Sequence, residues 1–300
     1  MSDPLSDVFS LLQLRNLRCT RLEAAGVWGL SFRAQPLLKF VAVLRGACWM
    51  TVSGEPPSEL AAGDAFLLVN ASGYAVSSGP RAKLRDGNRL FDGTDSDVVR
   101  LGGDDTVLVG GSFSVEGDDL TPLLDVLPSF LVIPGSNPAA ATLRATLDLL
   151  DAELARPGIG GSLMAKHLAD LLLLQALRAH AARPDSDSLG WIGALADKHI
   201  GAALALMHAQ PGARWTVGGL ASAVGLSRSS FAARFKARLG VAPLEYLLQW
   251  RMQRARHALR GGTVPVGRLA SELGYASESA FGNAFKRFYG RAPKSYWSAG

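Results

Sequence analysis

The strongest constraint on the fold is a repeat. Leu220-Ala-Ser-Ala-Val-Gly-Leu-Ser-Arg-Ser-Ser-Phe-Ala-Ala-Arg-Phe-Lys236 aligns with Leu269-Ala-Ser-Glu-Leu-Gly-Tyr-Ala-Ser-Glu-Ser-Ala-Phe-Gly-Asn-Ala-Phe-Lys286, with one extra residue in the second turn. The match runs on into Gly240-Val-Ala-Pro243 and Gly290-Arg-Ala-Pro293. A supersecondary unit present twice is a stronger signal than either copy alone. Each copy reads as a short helix, a tight turn and a second helix. In the first, Thr216 caps a helix with Val217, Leu220 and Val224 inside, Gly225 ends it, and Ser227 caps the next. Phe231, Phe235 and Leu239 anchor that second helix inward. The second copy repeats the scheme with Val266, Leu269, Leu273, Gly274, Ser277, Phe281, Phe285 and Tyr289. The outer faces then begin at Arg228, Ser229, Ala232 and Ala233, and at Glu278, Ser279, Gly282 and Asn283. This is the geometry that sets a second helix in a DNA major groove.

Between the copies Pro243 opens a helix that runs to Leu259 and stops at Gly261-Gly262. At ~1.5 Å per residue it is roughly 25 Å long, which suits two reading helices set near the ~34 Å of one DNA turn. Arg251, Arg254, Arg256 and Arg260 lie along it. Charge agrees. From Gly190 onward the chain has 15 of its 31 Lys and Arg but only 4 of its 26 acids, so a net charge of +5 divides into +11 there and −6 before it. A polyanion is the partner such a split favours.

The rest of the chain is organised differently. Up to about residue 135, short apolar runs alternate with Gly, Pro, Asp and Ser turns, as in Lys39 to Leu44, Ala47 to Val52, Asp64 to Val69 and Thr106 to Val109. That pattern predicts an antiparallel sandwich or barrel. From Asn137 the period becomes helical, with Leu143, Leu147, Leu150 and Leu154 on one face. A second helix from Gly161 to about Ala181 is apolar on more than one face and must bury the excess on the β part or on a second subunit. The expected fold class is α+β. It has a β-barrel over 1–135, a helical hairpin for dimerisation over 136–182, a linker over 183–190, and an all-α domain with two helix-turn-helix motifs over 191–300.

These residues carry a resemblance. The region from about Ile200 to Trp297 resembles the paired helix-turn-helix domain of the AraC/XylS family of transcription regulators. It has the Trp215-Thr opening, the run at 274–281, Phe-Lys-Arg-Phe-Tyr-Gly at 285–290, and Pro293 with Tyr296. The resemblance implies base reading by Arg228, Ser229, Ala232, Ala233, Glu278, Ser279, Gly282 and Asn283. It implies phosphate contacts from Ser227, Lys236, Arg251, Arg254, Ser277, Lys286 and Arg287. The two alanines offer only methyl contacts, for instance to thymine, so the first helix would lean on Arg228 and on DNA shape. The β-rich part is similar to the small cupin barrel of one AraC-type subfamily through Asp3 to Val8, Trp28-Gly29, Gly46 to Trp49, Leu60 to Asp64 and Arg100 to Gly103. That likeness implies a small-molecule effector or a chemical-stress signal, and a homodimer. Duplex promoter DNA and RNA polymerase are the implied macromolecular partners.

For an effector, Trp28, Phe40, Trp49, Phe66 and Tyr74 are the candidate pocket residues. Cys19 and Cys48 are candidates for a redox switch, with Arg18 and Arg21 beside Cys19 favouring the thiolate. A metal-dependent cupin reaction is not expected. All five histidines (His167, His180, His199, His208 and His257) lie beyond the barrel on helical segments, and such a site needs imidazoles converging inside it. No HExxH, GxSxG or Walker loop occurs, so no catalytic residue, metal or cofactor is assigned. A metal-independent cupin enzyme is the remaining enzymatic alternative. The acidic start lacks the basic n-region of a signal peptide, no apolar run is long enough to span a bilayer, and two cysteines make no disulfide framework. A cytoplasmic protein is the expectation.

Overall fold

The computed structural model describes residues 4–12, 14–34, 38–69, 73–92, 97–115, 130–136, 140–156, 158–181, 191–260, 262 and 264–297. It forms two compact units, Leu14–Ser186 and the pair of segments Met1–Gln13 with Asp187–Gly300. The expected linker over 183–190 lies outside the described residues.

The first unit is built on two sheets. Strands β1 (Leu14–Ala24), β3 (Leu38–Arg45), β6 (Ala65–Val69), β9 (Val98–Leu101), β10 (Thr106–Val115) and β11 (Phe130–Ile133) form one, in the order β11-β6-β3-β10-β1-β9. The other has β2 (Gly29–Arg33), β4 (Ala47–Val52), β5 (Ser58–Ala61), β7 (Gly73–Ser77) and β8 (Arg85–Asp86), ordered β5-β4-β7-β2-β8, with helix α2 (Gly87–Asp92) after β8. Most pairings are antiparallel, with β1–β9 and β2–β8 parallel. The period-two alternation turns Cys48, Met50 and Val52 of β4 inward to meet Val41, Val43, Phe66 and Leu68 from the facing sheet. Strand β6 is buried at every position, which requires cover on both faces of its sheet.

Helices α3 (Ala140–Ala155) and α4 (Gly161–Ala181) give that cover, packing on β1, β3 and β11. Leu143, Leu147, Leu150 and Leu154 are all buried, as their spacing predicts. Arg21 of β1 pairs with Asp151 of α3 and, at 2.9 Å, with Glu23, so an ionic tie joins sheet to hairpin. The excess apolar surface of α4 is split. Leu172, Leu173 and Leu177 are buried, whereas Leu163, Met164 and Leu171 are exposed.

The second unit is helical: α5 (Trp191–Ala196), α6 (Lys198–Ala209), α7 (Val217–Ala223), α8 (Arg228–Leu239), α9 (Pro243–Arg260), α10 (Val266–Glu272), α11 (Glu278–Tyr289) and α12 (Lys294–Trp297). Helix α1 (Pro4–Leu12) belongs here too, packed on α6 and α9 with Pro4 and Val8 buried. Sequence order had grouped residues 1–13 with the barrel. Apolar burial on α6 and α9 places them with the helices. The transfer moves acids as well: the helical unit holds 15 basic and 7 acidic residues, or +8, and the β unit 16 and 19, or −3.

Candidate nucleic-acid interface and barrel cavity

Each half of the repeat is held by the caps its sequence supplies. The Thr216 hydroxyl accepts from the Gly219 N–H at 2.9 Å, that of Ser227 from Ser230 at 3.2 Å, and that of Ser277 from Ala280 at 3.1 Å. Of the four described helices of the repeat, α10 lacks a side-chain cap, because Pro265 holds its Ncap position. Phe231, Phe235, Phe281 and Phe285 are fully buried, which fixes the rotation of α8 and α11 about their axes. Each ring buried this way contributes about 1.5–3 kcal/mol.

The opposite faces are therefore open. Arg228, Ser229, Ala233, Glu278, Ser279 and Asn283 are exposed, and Ala232 and Gly282 are half-buried. Both open faces start within the first turn of a capped helix, where backbone N–H groups and the helix dipole suit an anion. Lys236, Lys286 and Arg287 are exposed, as are the cap residues Ser227 and Ser277.

Two further arginines expected at phosphates have neighbours of their own. Arg251 is half-buried and donates through Nε to the Pro211 carbonyl at 2.6 Å and through Nη2 to that of Ala213 at 2.9 Å. It braces the turn before α7. Arg254 is exposed but lines a groove of about 320 Å³ with Asp7, Trp250, His257 and Glu272.

A second set of residues, not legible in the repeat, supports α8. Asp197 caps α6, accepting from His199 N–H at 3.0 Å and Ile200 N–H at 3.2 Å, and also accepts from Arg234 Nε at 2.7 Å. Burial raises its pKa, but the Ile200 N–H, Arg234 and the His199 N–H outweigh this and hold it below the ordinary carboxylate value. Nearby, the Tyr246 hydroxyl accepts from Trp191 Nε1 at 2.9 Å, so its own proton goes to His208 Nε2 at 2.8 Å. The ring proton of His208 then sits on Nδ1, 3.5 Å from Asp7 Oδ2. Burial, with Arg254 adding to it, pushes His208 down to about 3, so the ring is neutral. It stacks on Trp250 with centroids 3.6 Å apart.

The β unit has a partly open cavity of about 30 Å³ lined by Thr20, Leu22, Phe32, Lys39, Val41, Tyr74, Val76, Phe91, Leu108 and Gly110. Of the five aromatic residues expected to line a pocket, Tyr74 is there. Phe40 and Trp49 occupy register positions on the opposite faces of their strands, since Val41 and Val43 of β3 and Cys48 and Met50 of β4 point inward. Trp28 and Phe66 pack in the apolar core without reaching the cavity. Phe32 and Lys39 were missed. Phe32 is the cross-strand partner of Tyr74, stacked on it at 4.7 Å and 14°, and only the strand register reveals that pairing.

Neither thiol is part of a disulfide, and both are buried. Cys19 donates to the Ala165 carbonyl of α4 at 3.5 Å. Cys48 lies in the core of the other sheet, where burial pushes its thiol up to about 12. The two occupy separate environments, and burial of Cys48 works against a thiolate there. Arg18, expected to favour a Cys19 thiolate, spends its guanidinium on Asp97 at 2.7 Å and the Phe91 carbonyl at 2.9 Å. Among the described residues no three or more His, Cys, Asp or Glu gather as metal ligands, and no helix is long and apolar enough to cross a membrane.

Comparison with known proteins agrees with this two-part organisation. A cupin family model matches residues 3–182, and a helix-turn-helix domain model matches residues 220–298. A Streptomyces antibioticus protein described as an AraC-like transcription regulator is 40% identical over 98% of both chains. The HTH-type transcriptional regulator AlkR of Acinetobacter baylyi is 30% identical, again over 98% of each. Among solved structures, the DNA-binding domain of AdpA in complex with a target DNA is 28% identical, covering 34% of this chain and 92% of that one at a TM-score of 0.32. With both domains matched and 40% identity sustained along the chain, this protein belongs to the AraC-type DNA-binding transcription regulators that carry a cupin-like N-terminal domain.

Proposed function

We propose that α8 and α11 enter successive major grooves of a promoter, and that the cupin-like unit adjusts this binding in response to a small molecule. The observation that carries the reading is the pair of capped second helices, each pinned by two buried phenylalanines and each exposing its first turns. Arg228, Ser229, Ala232 and Ala233 read one groove. Glu278, Ser279, Gly282 and Asn283 read the other, Asn283 having the amide that pairs with adenine. Ser227, Lys236, Ser277, Lys286 and Arg287 hold phosphates. Arg251 acts through the turn it braces, and Arg254 contributes as long-range positive charge. The protein works in the cytoplasm as a homodimer and acts on RNA polymerase.

Titration of promoter DNA against the full-length protein at several salt concentrations tests this reading. Phosphate neutralisation releases counterions, so log K falls linearly with log salt. Arg287→Glu should weaken every sequence alike and reduce the salt slope by about one contact's worth, whereas Asn283→Ala should relax preference at one base pair by about 1–3 kcal/mol. Binding indifferent to salt and to both changes would sink the reading.

A further inference from the structure

Among the described residues, the cavity of the β unit holds a charge with no carboxylate beside it. Lys39 places its ammonium over Phe32, 5.1 Å from the ring centroid, and over Tyr74, 5.6 Å away. No carboxylate pairs with it among the described residues. The cavity is also lined by Leu22, Val41, Val76 and Leu108 and by two residues that carry hydroxyls, Thr20 and Tyr74. Burial, and then Arg18, press its pKa down to about 8. Two aromatic faces recover part of what an ammonium loses on leaving water, roughly 0.5–2 kcal/mol. An uncompensated charge among apolar groups costs more than that unless something pairs with it.

We propose that this cavity binds a small organic monocarboxylate, its carboxylate on Lys39 and the Thr20 and Tyr74 hydroxyls and its short apolar body against Leu22, Val41 and Leu108. This rests on the small-molecule reading above and names the ligand class for it. The chemistry excludes the neighbouring classes. A cation meets an ammonium already seated on both rings, with Arg18 adding to the positive field. A dianion such as a phosphate monoester brings more negative charge than one ammonium offsets. A neutral hydrocarbon leaves Lys39 unpaired. A sugar finds too few polar groups for its hydroxyls. Size is limited as well: the cavity of about 30 Å³ is partly open and has room inside for roughly two waters, enough for a carboxylate head with a short chain behind it.

Calorimetric titration of the full-length protein with acetate, propionate, butyrate and octanoate, and with propionamide as the uncharged isostere, tests the proposal. The short acids should bind, and propionamide should bind about tenfold or more weakly, because it loses the charge-assisted hydrogen bond. Lys39→Met removes the charge, keeps an apolar body, and should weaken propionate by about tenfold or more with no fall in Tm. Equal affinity for propionate and propionamide in the wild-type protein overturns the proposal, whatever the folding of the variant. So does undiminished propionate binding by Lys39→Met, or preference for octanoate over butyrate. Trapping of an aldehyde on Lys39 by borohydride, with no acid bound, also overturns it and reassigns the amine as an imine-forming group. Retention of promoter DNA by the same samples separates the two ideas. Specific DNA binding without carboxylate binding removes the ligand class alone, and absence of specific DNA binding removes the regulatory reading itself.

Discussion

A few polar side chains decide how firmly the second helices of the repeat are held. Asp197 is the clearest. One carboxylate caps α6 and anchors Arg234 of α8, so the helix proposed to read DNA is tied ionically to its own domain. Asp197→Ala removes the cap and leaves Arg234 unpaired, and should cost about 1–2 kcal/mol. Thermal denaturation would read this as a lower Tm. The pH dependence has a definite sign. Because the folded-state pKa lies below the ordinary carboxylate value, the contribution is complete at neutral pH and is lost as pH falls through the folded pKa. The gap in Tm between wild type and Asp197→Ala should therefore narrow on acidification, and a gap that widened would count against the assignment. Arg251 carries a related lesson. From sequence it was one arginine among several on a basic helix, and its bonds to the Pro211 and Ala213 carbonyls give it a bracing role that charge counting cannot see.

Elements built from nearly the same sequence are not equivalent once folded. Gly225 and Gly274 end the first helix of each copy with φ of 72° and 80°, the left-handed region that favours glycine. Around Gly225 an added Cβ meets open space, whereas at Gly274 it collides with the Gly212 carbonyl. Gly225→Ala should thus cost about 1–2 kcal/mol of backbone strain. Gly274→Ala should cost more, with the 211–213 turn displaced. Parallel denaturant titrations of the two variants would show the difference, and equal losses would contradict the close approach. The helices themselves were readable because phenylalanines four apart, capping serines and terminal glycines all act locally. The contact of one turn with its neighbour depends on chain far away in sequence, and no motif encodes it.

At the scale of the whole molecule, charge and apolar surface are distributed by unit rather than by sequence order. The first thirteen residues fold with the helical unit and carry Asp3 and Asp7 into a basic domain; with Asp187, which that unit also includes, its balance is +8 against the +11 counted from Gly190. In the β unit, Leu163, Met164 and Leu171 stay exposed on α4 while the rest of its apolar surface is spent on α3 and the sheet. The homodimer proposed above would use that face, since burying it against a second copy removes it from water at about 25 cal/mol per Å². Leu163→Glu combined with Leu171→Glu should convert a dimer to a monomer in analytical ultracentrifugation without lowering the Tm of the β unit. An unchanged sedimentation coefficient would place the dimer contact elsewhere.

The sequence by itself determined the two-part division, the duplicated helix-turn-helix units with their caps and buried phenylalanines, and the faces they leave open. Those features rest on interactions within one or two helical turns, so spacing alone specifies them. Only the tertiary structure decided what the barrel encloses. Phe40 and Trp49 looked like pocket residues, yet period-two alternation turns each to the opposite face of its strand, and cross-strand register sets Phe32 on Tyr74 beneath Lys39. It also decided where helix α1 packs and what Arg251 and Asp197 bind. Strand register and long-range packing are fixed by burial summed over many distant residues, so a local reading of the +5 chain could reach the open faces of the second helices but not the seating of Lys39 over two aromatic rings.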